Sequence, residues 1–191
     1  MASNPVTKLT EEQYLAIDRA AEFRSEFIDG EIVAMSGASL VHNRLQGNVY
    51  AEVRAALRDS NCEAFNSDLR IRVSARVYTY ADVSVVCGKP ALADERQDIL
   101  LNPVVIFEVL SPSTEKYDRG VKFQHYRTID SLKDYVLVDQ EQVRIEHYSR
   151  ETDSTWTLHD HEKLDDELKI TSIGVSLPLN RVYDRVELTA A

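Results

Sequence analysis

What the sequence is short of narrows the field first. No stretch of its 191 residues is apolar over enough length to span a bilayer. The opening Met1-Ala2-Ser3-Asn4-Pro5 lacks the basic start and apolar core of a signal peptide. A cytoplasmic location, away from membranes, is therefore the expectation. Only two cysteines occur, Cys62 and Cys87, and they form no CxxC spacing. That argues against a disulfide scaffold or a cysteine zinc site, and Cys87, closing an apolar run, reads as a small core residue. Positive charge is scarce too: 22 Lys and Arg face 32 Asp and Glu, for a formal net charge of -10. Phosphate backbones reward clustered cations, so an indiscriminate nucleic-acid coat is excluded, and any DNA contact must be local and salt-sensitive. A Gly-x-Ser-x-Gly nucleophile elbow is absent, which ranks a small-molecule hydrolase low. No internal repeat and no low-complexity tract appears.

What is present reads as a globular chain with an ordinary 43% hydrophobic and 28% charged content. The length suits one domain over 1–191, with its core at about 40–140. Thr10 ahead of Glu11-Glu12-Gln13 marks a helix start running to about Ala21. Phe27 to Met35 reads as two short strands around Asp29-Gly30, a hairpin signal. Val41, Leu45, Val49, Val53 and Leu57 recur every four residues and predict a helix from about Val41 to Arg58, after Ser39. Short strands are expected near Cys62–Phe65, Asp68–Val73, Val77–Thr79, Asp82–Cys87 and Val104–Leu110. Residues 91–101 read as a polar loop. A helix follows from Thr114 to Thr128, then a hairpin of Asp134–Asp139 and Val143–Ser149, then further short strands. The fold class is α/β (α+β): a mixed sheet flanked by helices, with an N-terminal helix and hairpin and a C-terminal β extension.

Two carboxylates sit inside the apolar runs. Glu108 interrupts Val104-Val105-Ile106-Phe107-Glu108-Val109-Leu110, and Asp82 opens Asp82-Val83-Ser84-Val85-Val86-Cys87. An unpaired buried carboxylate costs several kcal/mol or surrenders its charge. Strand alternation points Glu108 to the side of Val104, Ile106 and Leu110, and Asp82 to that of Ser84 and Val86. If the strands are neighbours, the two acids meet and repel unless a cation or a shared proton lies between them. Hard oxygen donors of this kind suit Mg²⁺ or Mn²⁺.

An Asp on one strand and Glu-x-Lys on the next is the signature of the PD-(D/E)XK nuclease superfamily. Here the halves read Tyr80-Ala81-Asp82 and Glu108-Val109-Leu110, with leucine in place of the lysine. The surrounding strings, Glu26 to Glu31, Ser39 to His42, Ala81 to Val86, Glu108 to Thr114 and Tyr117 to Phe123, resemble the Uma-type restriction-endonuclease family, a branch of that superfamily, over roughly residues 10 to 180. The resemblance implies a restriction-endonuclease-like core and a Mg²⁺-dependent DNA endonuclease. It implies that the catalytic lysine has moved to the next helix as Lys122, and that His42 joins Asp82 and Glu108 as a metal ligand. On a helix Lys122 shares a face with Arg119, Tyr126 and Ile129, and its ammonium would stabilise phosphate charge or orient water.

Plainer readings stand beside these. Asp82 could cap a strand, Glu108 could pair with Arg119 or Arg127, Lys122 could be solvated, and His42 could be a hydrogen-bonded core histidine. Glu26 and Glu31 read as solvated turn-flanking acids. His159-Asp160-His161 could set two imidazoles on one strand face, though the acids after it favour a solvated loop. Arg70, Arg72 and Arg76 could line one face as a phosphate track. The alternative function is a catalytically weak or inactive nuclease-fold protein acting as a binding or regulatory module. A homodimer is the expected assembly.

Overall fold

The computed structural model describes residues 8–35 and 37–188, so the reading of Met1 to Pro5 lies outside them. Helix α1 (Glu11–Ala20) opens with a full capping box: Thr10 accepts from the Gln13 amide while the Gln13 side chain accepts from the Thr10 amide. Strands β1 (Ser25–Ile28) and β2 (Glu31–Ala34) form the hairpin around Asp29-Gly30. Helix α2 (Leu40–Ala56) is capped by Ser39 and buries Leu45, Val49 and Val53, the stripe visible in its four-residue spacing.

Strands β3 (Cys62–Asn66), β4 (Arg70–Ser74), β5 (Val77–Tyr80), β6 (Val83–Cys87), β7 (Ile99–Leu100) and β8 (Val105–Leu110) follow. Next comes a helical segment of three parts: α3 (Glu115–Tyr117), a π-turn at Asp118–Lys122, and α4 (Phe123–Tyr126). The chain continues through β9 (Asp134–Asp139), β10 (Ile145–Arg150), β11 (Trp156–His161), β12 (Glu167–Ile170), a 3₁₀ turn (Thr171–Ile173), β13 (Val175–Pro178) and α5 (Leu179–Val182). Among the described residues no helix is long and apolar enough to cross a membrane.

The strands divide into a six-stranded sheet, β11-β10-β9-β8-β6-β3, a five-stranded sheet, β2-β1-β5-β4-β7, and the β12–β13 pair. The large sheet is mixed, since β8 runs parallel to β9 and antiparallel to β6. Its two faces bury different cores. Val105, Phe107 and Val109 pack with α2, β13 and α5, whereas Ile106 and Leu110 pack with Tyr126, Ile129 and Tyr135. This is the alternation expected of β8, buried on both sides. Leu110, where the motif lysine is missing, is embedded in that second apolar cluster.

Four details depart from the sequence reading. Ile99-Leu100, read as loop, adds a parallel strand to β4. The helix read as continuous over Thr114 to Thr128 contains the π-turn and ends at Tyr126. Cys62 and Cys87 are direct partners across β3 and β6 and are joined by a disulfide; no local spacing could signal a bridge formed by strand pairing 25 residues apart. The arginines form no open track. Buried Arg70 pairs with Asp18 at 2.6 Å, Arg72 with Glu11 at 3.0 Å and Arg76 with Asp29 at 3.0 Å. Their partners lie far away in sequence, and a register shift between Arg72 and Ser74 breaks the alternation the track needed.

Candidate active site

The site grows from the β6–β8 pair. Val83 lies opposite Phe107 and Ser84 opposite Ile106. One step further along the same antiparallel register sets Asp82 across from Glu108, and directly opposed residues share a face. Asp82 is anchored: its Oδ2 accepts from the Val109 amide at 2.7 Å and its Oδ1 lies 3.1 Å from His42 Nε2. His42 stands there because Ser39 caps α2, accepting from the His42 amide at 3.1 Å and so fixing the first turn. Gln46, one turn on, donates to the Asp82 carbonyl at 3.2 Å.

Lys122 enters from the helical segment after β8. Its Nζ lies 2.8 Å from Glu108 Oε1, 3.4 Å from Glu26 Oε1 and 3.6 Å from Asp118 Oδ1, and it donates to the Tyr80 carbonyl at 3.2 Å. The side chain is 8% exposed. The π-turn widens the helix at Asp118–Lys122, so that both of its end residues are buried in the same cluster. Arg119, grouped with Lys122 by simple helical spacing, instead turns to Glu146 and Glu115. Tyr126 donates to Glu108 Oε1 at 3.0 Å and accepts from Thr79. Tyr117 donates to Glu26 Oε2 at 3.1 Å.

These groups line a cavity of about 590 Å³. Its walls are β2 with Met35 on one side, the first turns of α2 on another, and the Ser111–Thr114 turn on a third. Four carboxylates, Glu26, Asp82, Glu108 and Asp118, line it with one ammonium, Lys122, one imidazole, His42, and one guanidinium, Arg24, which is paired with Asp68. Burial drives the Glu108 carboxyl well above the usual range, Lys122 opposes that shift, and Asp118 and Asp82 reinforce it. Burial also raises Asp118. Burial alone would lower Lys122, but Glu108, Glu26 and Asp118 hold it well above its ordinary value. The ammonium is thus fixed as the positive centre of an acid-rich pocket.

The structure therefore brings Asp82, Glu108, Lys122 and His42 into one cavity. Glu108 is paired with Lys122, not with Arg119 or Arg127. Glu26, read as a solvated acid, is 5% exposed and faces Lys122. Glu31 stays exposed on β2. The sequence gives Asp118, Tyr117 and Tyr126 no role in the site, although Tyr117 and Asp118 lie in a family string and Tyr126 shares the Lys122 face. Asp118 also stands four residues before Lys122, the spacing of a helical ion pair. Glu26 is marked only as the head of the Glu26 to Glu31 string, and it reaches the cluster because β1 pairs with β5, whose last residue is Tyr80.

Comparison with known proteins agrees with this architecture. The model of the Uma2 family, described as "Putative restriction endonuclease", matches residues 11–180. The protein sll1609 of Synechocystis sp. is 40% identical over 151 residues, covering 78% of this chain and 85% of that one. The protein slr1290 of the same organism is 37% identical over 182 residues, covering 95% and 94%. A crystal structure from Anabaena variabilis ATCC 29413, named a "putative nuclease", superposes with a TM-score of 0.75 at 19% identity over 92% of this chain and 97% of that one. At that identity the likeness concerns the fold, a mixed α+β nuclease-like arrangement. The breadth of the family match and the two relatives settle kinship: this chain belongs to the Uma2 family.

Proposed function

We propose that the chain is a divalent-metal-dependent endonuclease that hydrolyses phosphodiester bonds in DNA. The observation that carries this reading is the buried Lys122 ammonium, 2.8 Å from Glu108, with Asp82 across from Glu108 on the neighbouring strand. The donor set suits the metal: four carboxylates outnumber the Lys122 ammonium and the Arg24 guanidinium, itself paired with Asp68, and carboxylate oxygens are the donors a hard cation such as Mg²⁺ or Mn²⁺ takes. Asp82 and Glu108 would hold the ion, with His42 as a further ligand or as the group that orients Asp82. Such an ion, when bound, polarises a phosphate and acidifies a water. Lys122 supplies fixed positive charge where phosphate charge develops, and Glu26, Asp118 and the Tyr80 carbonyl hold its ammonium in place. Cytoplasmic location and a homodimer belong to the same reading.

Two observations favour a second reading, a weakly active or inactive module that binds or regulates. Glu108 Oε1 is already engaged by Lys122 and Tyr126, and among the described residues no three His, Cys, Asp or Glu side chains stand together as a metal site. Cleavage of labelled DNA with Mg²⁺, Mn²⁺ or EDTA separates the two. The enzyme reading expects metal-dependent cleavage that falls about 10²–10³-fold in Lys122→Met and vanishes in Asp82→Asn and Glu108→Gln. No cleavage by the wild type with either metal favours the module, and full cleavage retained by Glu108→Gln would overturn the role given to this cavity.

A further inference from the structure

We propose that His147, His159 and His161 form a Zn²⁺ site on the face of the six-stranded sheet opposite the acid cavity, independent of the nuclease reading. His147 on β10 is the direct register partner of His159 on β11, and Ile145, two residues before His147, is the partner of His161. Residues two apart on a strand share a face, so all three imidazoles emerge on one side. That side is the one on which Ile145, Val136 and Val138 pack with β12 and β13. Glu108 faces the other way, beside the Tyr126 and Tyr135 cluster. Two histidines at i and i+2 on one strand and a third on its neighbour can offer three nitrogens to one tetrahedral ion, leaving the fourth position to water.

The second observation is the support behind His147. Its Nε2 lies 2.7 Å from Asp134 Oδ1, and Asp134, 2% exposed, also accepts from the Ser172 hydroxyl in the 3₁₀ turn. A carboxylate bound to one imidazole nitrogen fixes the ring's tautomer and raises the basicity of the other nitrogen, the arrangement found behind histidine ligands of metals. With Nε2 carrying the proton toward Asp134, the Nδ1 lone pair is left to ligate. His159 and His161 have no hydrogen-bond partner among the described residues, and His159 is exposed, so its ring can turn. The His147 and His159 ring centres stand 6.1 Å apart. Two imidazoles sharing a tetrahedral zinc, at about 2.1 Å per nitrogen, hold their ring centres roughly 5 Å apart. For the His147 and His159 pair, binding therefore asks for about 1 Å of closure by the exposed ring, and His161 must turn toward them as well, since the three rings do not converge at ligand distance. Zinc fits better than magnesium here because imidazole nitrogen suits borderline cations. The ion would tie the edge strand β11 to β10 and, through Asp134 and Ser172, to the C-terminal β extension.

Titration calorimetry of the full chain with Zn²⁺, and visible spectra with Co²⁺ as a probe, test this. One equivalent of Zn²⁺ is expected, with the ligand-field bands of tetrahedral cobalt. His159→Ala and His161→Ala, both off the buried core, should each weaken binding at least 10-fold while the far-UV circular dichroism stays unchanged. Asp134→Asn should weaken it about 10–100-fold, whereas Asp82→Asn and Glu108→Gln should leave this binding untouched. Absence of Zn²⁺ binding by the wild type, or binding unaffected by both histidine substitutions, overturns the proposal. So does binding lost in Glu108→Gln, which would assign the ion to the acid cavity.

Discussion

At the scale of the single residue, Lys122 balances more charge than any other side chain in the cavity. Glu108, Glu26 and Asp118 all lie within 3.6 Å of its Nζ, and all three are nearly inaccessible to water. Replacing it with methionine keeps the stem and removes the charge. Breaking a buried ion pair by deleting one partner costs about 3–5 kcal/mol, because the other charge stays buried and uncompensated. Glu108 and Asp118, already raised by burial, relieve this by binding protons, so their folded pKa values rise further above their unfolded ones. Stability from groups with raised pKa is present at low pH and is lost as pH rises through the folded value. Lys122→Met should therefore fall short of wild type by a few kcal/mol at pH 8 and by clearly less at pH 5, in urea unfolding at each pH. An equal deficit at both would show that uncompensated carboxylate charge is not what destabilises the variant. The same residue shows the reach of a linear reading. Strand alternation and the family strings placed Asp82, Glu108 and Lys122 as candidates. Of the carboxylates that seat Lys122, Asp118 is marked only by its i,i+4 spacing, and the contact with Glu26 has no sequence signal, because Glu26 stands 96 positions before Lys122 and no periodicity links the two.

At the scale of the element, the β1–β2 hairpin delivers Glu26 to the cavity, and its turn depends on Gly30. The backbone there has φ of +93°, and a Cβ would stand 2.6 Å from the Lys8 Cβ. The Leu9 amide also donates to the Gly30 carbonyl at 2.9 Å, tying the segment ahead of α1 to the turn. A side chain at this position meets both the left-handed backbone penalty and a clash. Gly30→Ala should lower stability by about 1–2 kcal/mol and reduce cleavage by loosening Glu26 from Lys122. Gly120, in the π-turn, has nothing within 4 Å of a built Cβ and no positive φ. Gly120→Ala should be neutral or slightly stabilising when both variants are compared by thermal melting, which makes it the matched control. Elements were the most legible level of this chain. The Asp-Gly hairpin, the capped first helix and the four-residue stripe of α2 are each local patterns with local causes. The π-turn was not legible, because an extra residue in a helical turn leaves the apolar spacing nearly intact. The assignment of β4 and β5 to a sheet separate from β6 and β8 was equally hidden, since sheet membership is decided by long-range pairing.

At the scale of the whole molecule, the charge distribution sets how nucleic acid could be held. The chain carries a net charge of -10, and Arg70, Arg72 and Arg76 are all committed to carboxylates. Arg24, on the cavity wall, is itself paired with Asp68 at 2.8 Å. A protein that neutralises Z phosphates loses affinity with a slope of about -0.9Z in log K against log salt. With so few uncommitted cations near the cavity, Z should be small, and anchoring should depend on the metal more than on a basic track. Fluorescence anisotropy of a labelled duplex, in Ca²⁺ to hold the metal site without turnover, should give a slope of roughly -1 to -3. EDTA should then abolish the remaining binding. A slope of about -6 or steeper would mean that a broad cationic surface forms in the complex.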